Sequence, residues 1–236
     1  MQYGHGRVPS PLDPRDFLLR HYLTAPQYAH RSWDVGPVLN QGMTPHCVGF
    51  AGANWGNCLP IDDEWSNDKG HALYYAVKDL EGQPGEENGA YVRDLAKVLR
   101  AEGRIGRYAF GDLDEARDFV LTQGPIVLGI DWYEGMYHPD ALGRVRPSGS
   151  RTGGHAILLF GCDEQYACLQ NSWGDAWGVN GCCFITWDDL ERCFGYDGEA
   201  MAAVELPLCH PPVPPVLPWW RRALEAVADF VWRLFH

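Results

Sequence analysis

The sequence predicts an α+β protein, on two observations. Segments with apolar residues at helical spacing fill the first half of the chain. After Gly124 these give way to short apolar runs separated by Gly, Pro or acidic turns. The 236 residues, 46% apolar and 21% charged, suffice for a substantial core, either as one large domain or as two lobes sharing a cleft.

Residues 1–40 are Pro-rich and irregular and are expected to form an arm crossing the lobes rather than a domain. From Cys47 to about Asn57, small and apolar residues suit a buried helix. Helical spacing recurs over 71–82 and 90–103, where Tyr91, Val92, Leu95, Val98 and Leu99 make one face and Gly103 the stop. Asp112, with Glu115 three residues on, predicts a capped start for the next helix. "PIVLGIDW", "HAILLFGCD", "YACLQNSW", "CCFITW" and "AMAAVEL" read as strands. A mainly helical lobe is therefore expected at 41–115 and a strand-rich lobe at 116–206. A Pro-rich linker follows at 207–218. Over 219–236, Arg221, Glu225, Asp229 and Arg233 form a polar stripe on an otherwise apolar amphipathic helix. That helix is expected to dock on its own body, a sister subunit, a partner protein or a membrane surface.

Composition excludes several functions. A formal charge of −12 leaves no basic excess to displace counterions from a phosphate backbone, so nucleic acid is not an expected partner. The N-terminal stretch lacks the apolar core of a secretory signal, and no run of apolar residues is long enough to span a bilayer. None of the eight cysteines forms a C-x-x-C pair, so zinc is not expected. The absence of cysteine from 59 to 161 favours a reducing compartment, while the later cluster, Cys162 to Cys209, leaves pairing open.

The stretch "NQGMTPHCVGF" places Cys47 six positions after Gln41. Taken alone, Cys47 reads more simply as a buried core thiol. A cysteine nucleophile needs a base, a group that orients the base and donors for the developing oxyanion, and a helix starting at the thiol further favours the thiolate. Of nine histidines, His155 in "GGHAILLFG" directly precedes an apolar strand, and Gly153 and Gly154 permit close backbone approach. Sixteen residues on, "LQNSWG" sets Asn171 at the end of the next strand. Antiparallel neighbours turning near "CDEQ" would bring the two together, with Trp173 positioned to cover their hydrogen bond.

These blocks, in this order, resemble the papain-like cysteine peptidases: "QGMTPHCVGF", "GGHAILLFGCD" and "NSWGDAWGVNGCCFI", with intervening segments similar to bacterial and viral members that lack the usual disulfides. The resemblance covers roughly residues 10–206. It implies a papain-like two-lobed fold with a cleft between a helical and a strand-rich, β-barrel-like lobe. It also implies a peptidase acting on peptide or protein substrates through a thioester acyl-enzyme, without cofactor or metal. Carried over by position, Cys47 is the nucleophile, His155 the base and then acid, and Asn171 the orienting group. The Gln41 amide and the Cys47 N–H form the oxyanion hole, Trp173 is the shield, and Trp177 lines the leaving-group side. Without a signal or a membrane span, the expected location is cytoplasmic, or virion- or host-cytoplasm-associated.

The sequence departs from the family at Thr44 and Val48, where a cysteine and an aromatic residue are usual. His46 is not part of the family pattern. It is expected either as an exposed loop residue or as a cleft residue acting on the thiolate. The glycine pair that hydrogen-bonds extended substrate is matched only by Gly70 in "NDKG". The 46 residues before Cys47 leave no room for a long prosegment, so control is expected from compartment, partner or C-terminal tail. Two other functions share the motif: a different thiol acyl-transfer enzyme (amidase, cell-wall peptide hydrolase or peptide ligase), or a non-catalytic protein retaining the scaffold.

Overall fold

Apolar residues three and four apart coil the first half of the chain into α1 (Cys47–Asn57), α2 (Asn67–Leu80) and α3 (Val92–Ala101) in the computed structural model, which describes residues 3–206. All eleven residues of α1 are buried, so this helix has no polar face and is enclosed by its neighbours. Two of its glycines make that approach possible. A Cβ on Gly49 would lie 2.2 Å from the Gly70 carbonyl oxygen of α2, and one on Gly52 would lie 2.7 Å from Leu95 of α3.

The second half forms one seven-stranded sheet. β4 (Arg107–Gly111), β5 (Ile126–Tyr133), β6 (Arg151–Cys162), β7 (Tyr166–Gln170), β8 (Cys182–Thr186) and β9 (Glu199–Glu205) run in the order β4-β9-β5-β6-β7-β8. β2 (Arg31–Ser32), from the N-terminal arm, joins the far end of β6. All pairings in this sheet are antiparallel. The central strand β5 buries Ile126, Val127, Leu128, Ile130 and Trp132 completely. Each such side chain contributes about 1.5–3 kcal/mol of burial free energy. α1 packs on β5 and β6 and so joins the helical part to the sheet.

α4 (Leu113–Thr122) begins with the expected capping box: Asp112 accepts from the Glu115 N–H at 2.9 Å, and Glu115 reaches back to the Asp112 N–H. Other elements differ from expectation. The sheet takes in Arg107–Gly111, so the chain leaves the helical part before the expected 115/116 boundary. α5 (Trp187–Phe194) replaces the end of a predicted strand, because Thr186 caps it by accepting from the Asp189 N–H at 3.2 Å. Ala90–Tyr91, read as the start of a helix, is instead the short strand β3, paired in parallel with β1 (Arg7–Val8) of the arm. The expected linker at 207–218 and amphipathic helix at 219–236 lie outside the described residues. Among the described residues no helix is long and apolar enough to cross a membrane.

Candidate active site

Cys47 is the first residue of α1, where unpaired backbone N–H groups and the helix dipole favour negative charge. Its sulfur accepts the N–H of Ala156 in β6 at 3.4 Å, which sets the thiol beside the strand position that carries His155. The chain enters β6 at Arg151, so His155 lies inside the strand, opposite Ile130 of β5, rather than ahead of it.

β6 and β7 turn back on each other near Asp163 and pair Leu158 with Gln170, which carries Asn171 to the same end of the sheet. His155 Nε2 and Asn171 Oδ1 are 2.8 Å apart. The Ser172 N–H also donates to that oxygen, at 2.8 Å, which fixes the orientation of the amide. With Oδ1 as acceptor, Nε2 carries the proton of the neutral imidazole, and Nδ1, which has no hydrogen-bond partner, is the basic nitrogen. Trp173 and Trp132 each lie 4.8 Å, ring to ring, from His155 and exclude water from the contact. Trp177 stands behind Trp173, at 5.3 Å edge-on, and donates to the Tyr137 carbonyl, so it supports Trp173 and is itself buried.

Gln41 is held from both ends. Its Oε1 accepts from the Ser172 hydroxyl at 2.7 Å, and its Nε2 donates to the Thr44 carbonyl at 2.7 Å. Nε2 also reaches the carbonyl of Gly4, at 3.4 Å. That last contact belongs to a strap formed by residues 3–8, which runs through the site. Tyr3 stacks on Trp173 at 4.5 Å, and His5 meets His155 edge-on at 5.4 Å. The Gly6 N–H donates to the Cys47 sulfur, while the Gly6 carbonyl accepts from the Ala90 N–H at 2.7 Å. Glycines are required at 4 and 6, because a Cβ there would lie 2.0 Å from the Thr44 oxygen or 1.8 Å from the Pro45 oxygen. The strap leaves Cys47 and His155 with no exposed surface.

Burial, to which the strap adds, sets the charge state of the pair. It pushes the Cys47 thiol up to about 11, against N–H donors from Ala156, Gly6 and Val48 that favour the thiolate. It pushes His155 down to about 3, reinforced by His5 and opposed by the Asn171 hydrogen bond. His5 is itself lowered to about 4 by burial. Under the strap, the stable state is a neutral thiol beside a neutral imidazole.

Two expectations need correction. His46 is neither an exposed loop residue nor a cleft residue. It is buried in the helical part, 2.7 Å from both His71 and Glu87, and stacks on Tyr74 at 3.8 Å. Gly70 lies inside α2, where a Cβ would come within 2.9 Å of the Phe50 ring, so it serves helix packing. The edge that pairs with an extended chain is Ala90–Tyr91. Gly154 lies directly against the strap: a Cβ there would lie 2.2 Å from the Arg7 carbonyl oxygen. Sequence reasoning missed His5, Trp132, Ser172 and Ala90. The one available signal was "YGHGR", two glycines framing a histidine in a stretch otherwise read as irregular. Among the described residues no group of His, Cys, Asp and Glu converges to hold a metal ion.

The geometry has counterparts in known proteins. A family model described as papain family cysteine protease matches residues 77–202, more than half of the chain. Cathepsin B-like cysteine proteinase 5 of Caenorhabditis elegans is 33% identical over 102 residues, covering 41% of this chain and 29% of that protein. Cathepsin B-like cysteine proteinase 3 of Ostertagia ostertagi is 27% identical over 96 residues, covering 38% and 55%. The chain thus spans between about a quarter and about half of the length of the curated relatives it matches. Among solved structures, xylellain, a cysteine protease from Xylella fastidiosa, shares the fold with a TM-score of 0.69 at 20% identity, over 85% of this chain and 95% of that one. ProCathepsin B S9 from Trypanosoma congolense does so with a TM-score of 0.61 at 12% identity, over 87% of each.

Proposed function

The chain belongs to the papain family of cysteine proteases, and on that premise we propose that it hydrolyses peptide bonds through Cys47, His155 and Asn171. One observation carries this reading: His155 gives Nε2 to Asn171 at 2.8 Å and keeps Nδ1 unpartnered, while the next residue's N–H touches the Cys47 sulfur. His155 Nδ1 takes the thiol proton, and the sulfur attacks the substrate carbonyl carbon. The Gln41 amide and the Cys47 N–H meet the oxyanion, and Ser172 holds Gln41 in place for that task. As the C–N bond breaks, His155 returns the proton to the leaving amine and a thioester remains on Cys47. Water, giving its proton to His155, then attacks the thioester; the C–S bond breaks, a carboxylic acid leaves and the thiol is restored. Asn171 keeps the imidazole in one tautomer and one orientation throughout, and Trp173 keeps water from that bond.

The strap must leave before substrate can enter, because the Gly4 carbonyl occupies the Gln41 donor and Gly6 covers the sulfur. Its departure lifts the burial that holds Cys47 and His155 neutral, so proton transfer from sulfur to Nδ1 becomes favourable only as the cleft opens. The experiment is to map the adduct of an epoxide-type thiol trap and profile cleavage of a random peptide library. An adduct at Cys47 together with peptide cleavage is expected. No adduct there would sink the enzyme reading, and an adduct without peptide cleavage would point to another acyl transfer.

A further inference from the structure

The residue before the nucleophile is anchored away from the cleft. A helix usually takes Ser, Thr, Asp or Asn as its N-cap, with a side chain that accepts from the first turn. His46 holds that position in α1, and its ring makes no such bond. The ring turns instead towards α2 and the segment that follows it. It stacks on Tyr74 at 3.8 Å, faces His71 Nδ1 with its own Nδ1 at 2.7 Å, and reaches Glu87 through Nε2 at 2.7 Å. The Tyr75 hydroxyl donates to the other Glu87 oxygen at 2.8 Å. Burial pushes His46 below its ordinary value against the pull of Glu87. Against burial, Tyr75 and His46 hold the Glu87 carboxyl below its own. The His46 imidazole is therefore neutral, donating from Nε2 to the carboxylate and accepting at Nδ1 from His71.

This clamp joins the nucleophile to the edge of the cleft. Glu87 lies three residues before Ala90, and the Ala90 N–H pairs with the strap at 2.7 Å. Tyr74 bonds the segment on both sides of Glu87, donating to the Glu86 carbonyl at 3.0 Å and accepting from the Gly89 N–H at 3.2 Å. Lys78 of α2 holds the same segment through Glu81, Gln83, Asn88 and the Gly89 carbonyl. No disulfide can tie it to the start of α1, since no cysteine occurs from 59 to 161. His46 makes that tie without a covalent bond, its ring on the segment and its backbone one peptide bond from Cys47. Resting on the peptidase reading above, we propose that His46 is a positioning residue that holds the Cys47 sulfur in register with the Ala90 edge. A peptide paired on that edge then brings its carbonyl carbon to the sulfur, and an error of about 1 Å in the register costs up to roughly 10²-fold in rate.

The test uses the full chain carrying Arg7→Ala, which removes the bonds of the strap to Glu199 at 3.0 and 2.8 Å and leaves the clamp untouched. Cys47 is labelled by two reagents, and the rates are read by mass spectrometry. A haloacetamide needs the sulfur alone, whereas a dipeptidyl epoxide must also pair with Ala90. His46→Ala is expected to slow the epoxide at least about tenfold relative to the haloacetamide. His46→Gln, which keeps an N–H for Glu87, is expected to bring the ratio back to within about threefold of its starting value. Should His46→Ala fail to fold, Glu87→Ala, which removes the acceptor at a half-exposed position, is expected to lower the same ratio. An unchanged ratio in both alanine variants, or a ratio as low in His46→Gln as in His46→Ala, would overturn the inference. His46 would then be a packing residue, with the thiol-enzyme reading intact. Labelling of the Arg7→Ala chain by neither reagent would overturn both.

Discussion

Cys47 and Cys58 stand at opposite ends of one helix, and neither exposes any surface. Burial raises the thiol of each. The rest of their surroundings differ. Cys47 sits where the helix presents free N–H groups and receives further N–H donors from Ala156 and Gly6, all of which favour a thiolate. Cys58 caps the other end, where the helix dipole is negative, and Asp34 and Cys182 raise its thiol further. The cover also differs in kind. Both belong to the hydrophobic core, but over Cys47 the cover includes a strap of six residues from the N-terminal arm, whose Gly6 N–H donates to the sulfur. The lesson is that a buried thiol is chemically idle or poised according to its donors and to whether its cover can leave.

The sharpest way to break this comparison is to remove each sulfur. Cys47→Ala is expected to lower kcat/KM for peptide hydrolysis by on the order of 10⁴-fold or more. Cys58→Ala should leave it within about threefold and cost about 1–2 kcal/mol of stability, read by denaturant unfolding. A kcat/KM loss at Cys58 comparable to that at Cys47 would erase the distinction. Next in size is Asn171→Ala, which frees the imidazole to rotate. A loss of roughly 10²-fold in kcat/KM is expected, with an unchanged unfolding midpoint ruling out a fold defect.

Unseating the cover is expected to have a smaller and opposite effect. Gly6→Val places a side chain against the Pro45 carbonyl, where a Cβ would be only 1.8 Å away. Labelling of Cys47 by a small thiol reagent at neutral pH should rise about tenfold, equivalent to about 1.4 kcal/mol less protection. Labelling of Cys58 should not change, and a matching rise there would mean general loosening.

The smallest predicted effect is that of pH on the cover. His155 and His5 are pushed down to about 3 and about 4 when covered and return towards 6.5 when uncovered. The uncovered form therefore binds more protons in acid, so the strap is fully favoured above about 6.5 and weakens as pH falls towards 4. The Cys47 thiol acts at the other limit: it ionises more readily when uncovered, so the strap weakens again above about 9. Amide exchange at Ala90, corrected for its intrinsic pH dependence, should show several-fold lower protection near pH 4.5 than near pH 7. Gly6→Val should flatten that profile.

The sequence by itself determined the helices of the first half and the long strands of the second, and it named Gln41, Cys47, His155 and Asn171 as a candidate set. It could do so because helix and strand periodicities are local, and because the motif blocks encode neighbours whose spacing the strands impose. What it could not carry was pairing between distant segments. β1 and β3 are two residues long and have no periodicity to read, so only the closed fold brings Gly6 to Cys47 and Arg7 to Glu199. His46 and Gly70 were misplaced for the same reason: exposure and cleft membership are properties of packing. Tertiary structure alone decided that the arm fills the site, because that outcome depends on three bodies meeting at one place: the strap, α1 and β6.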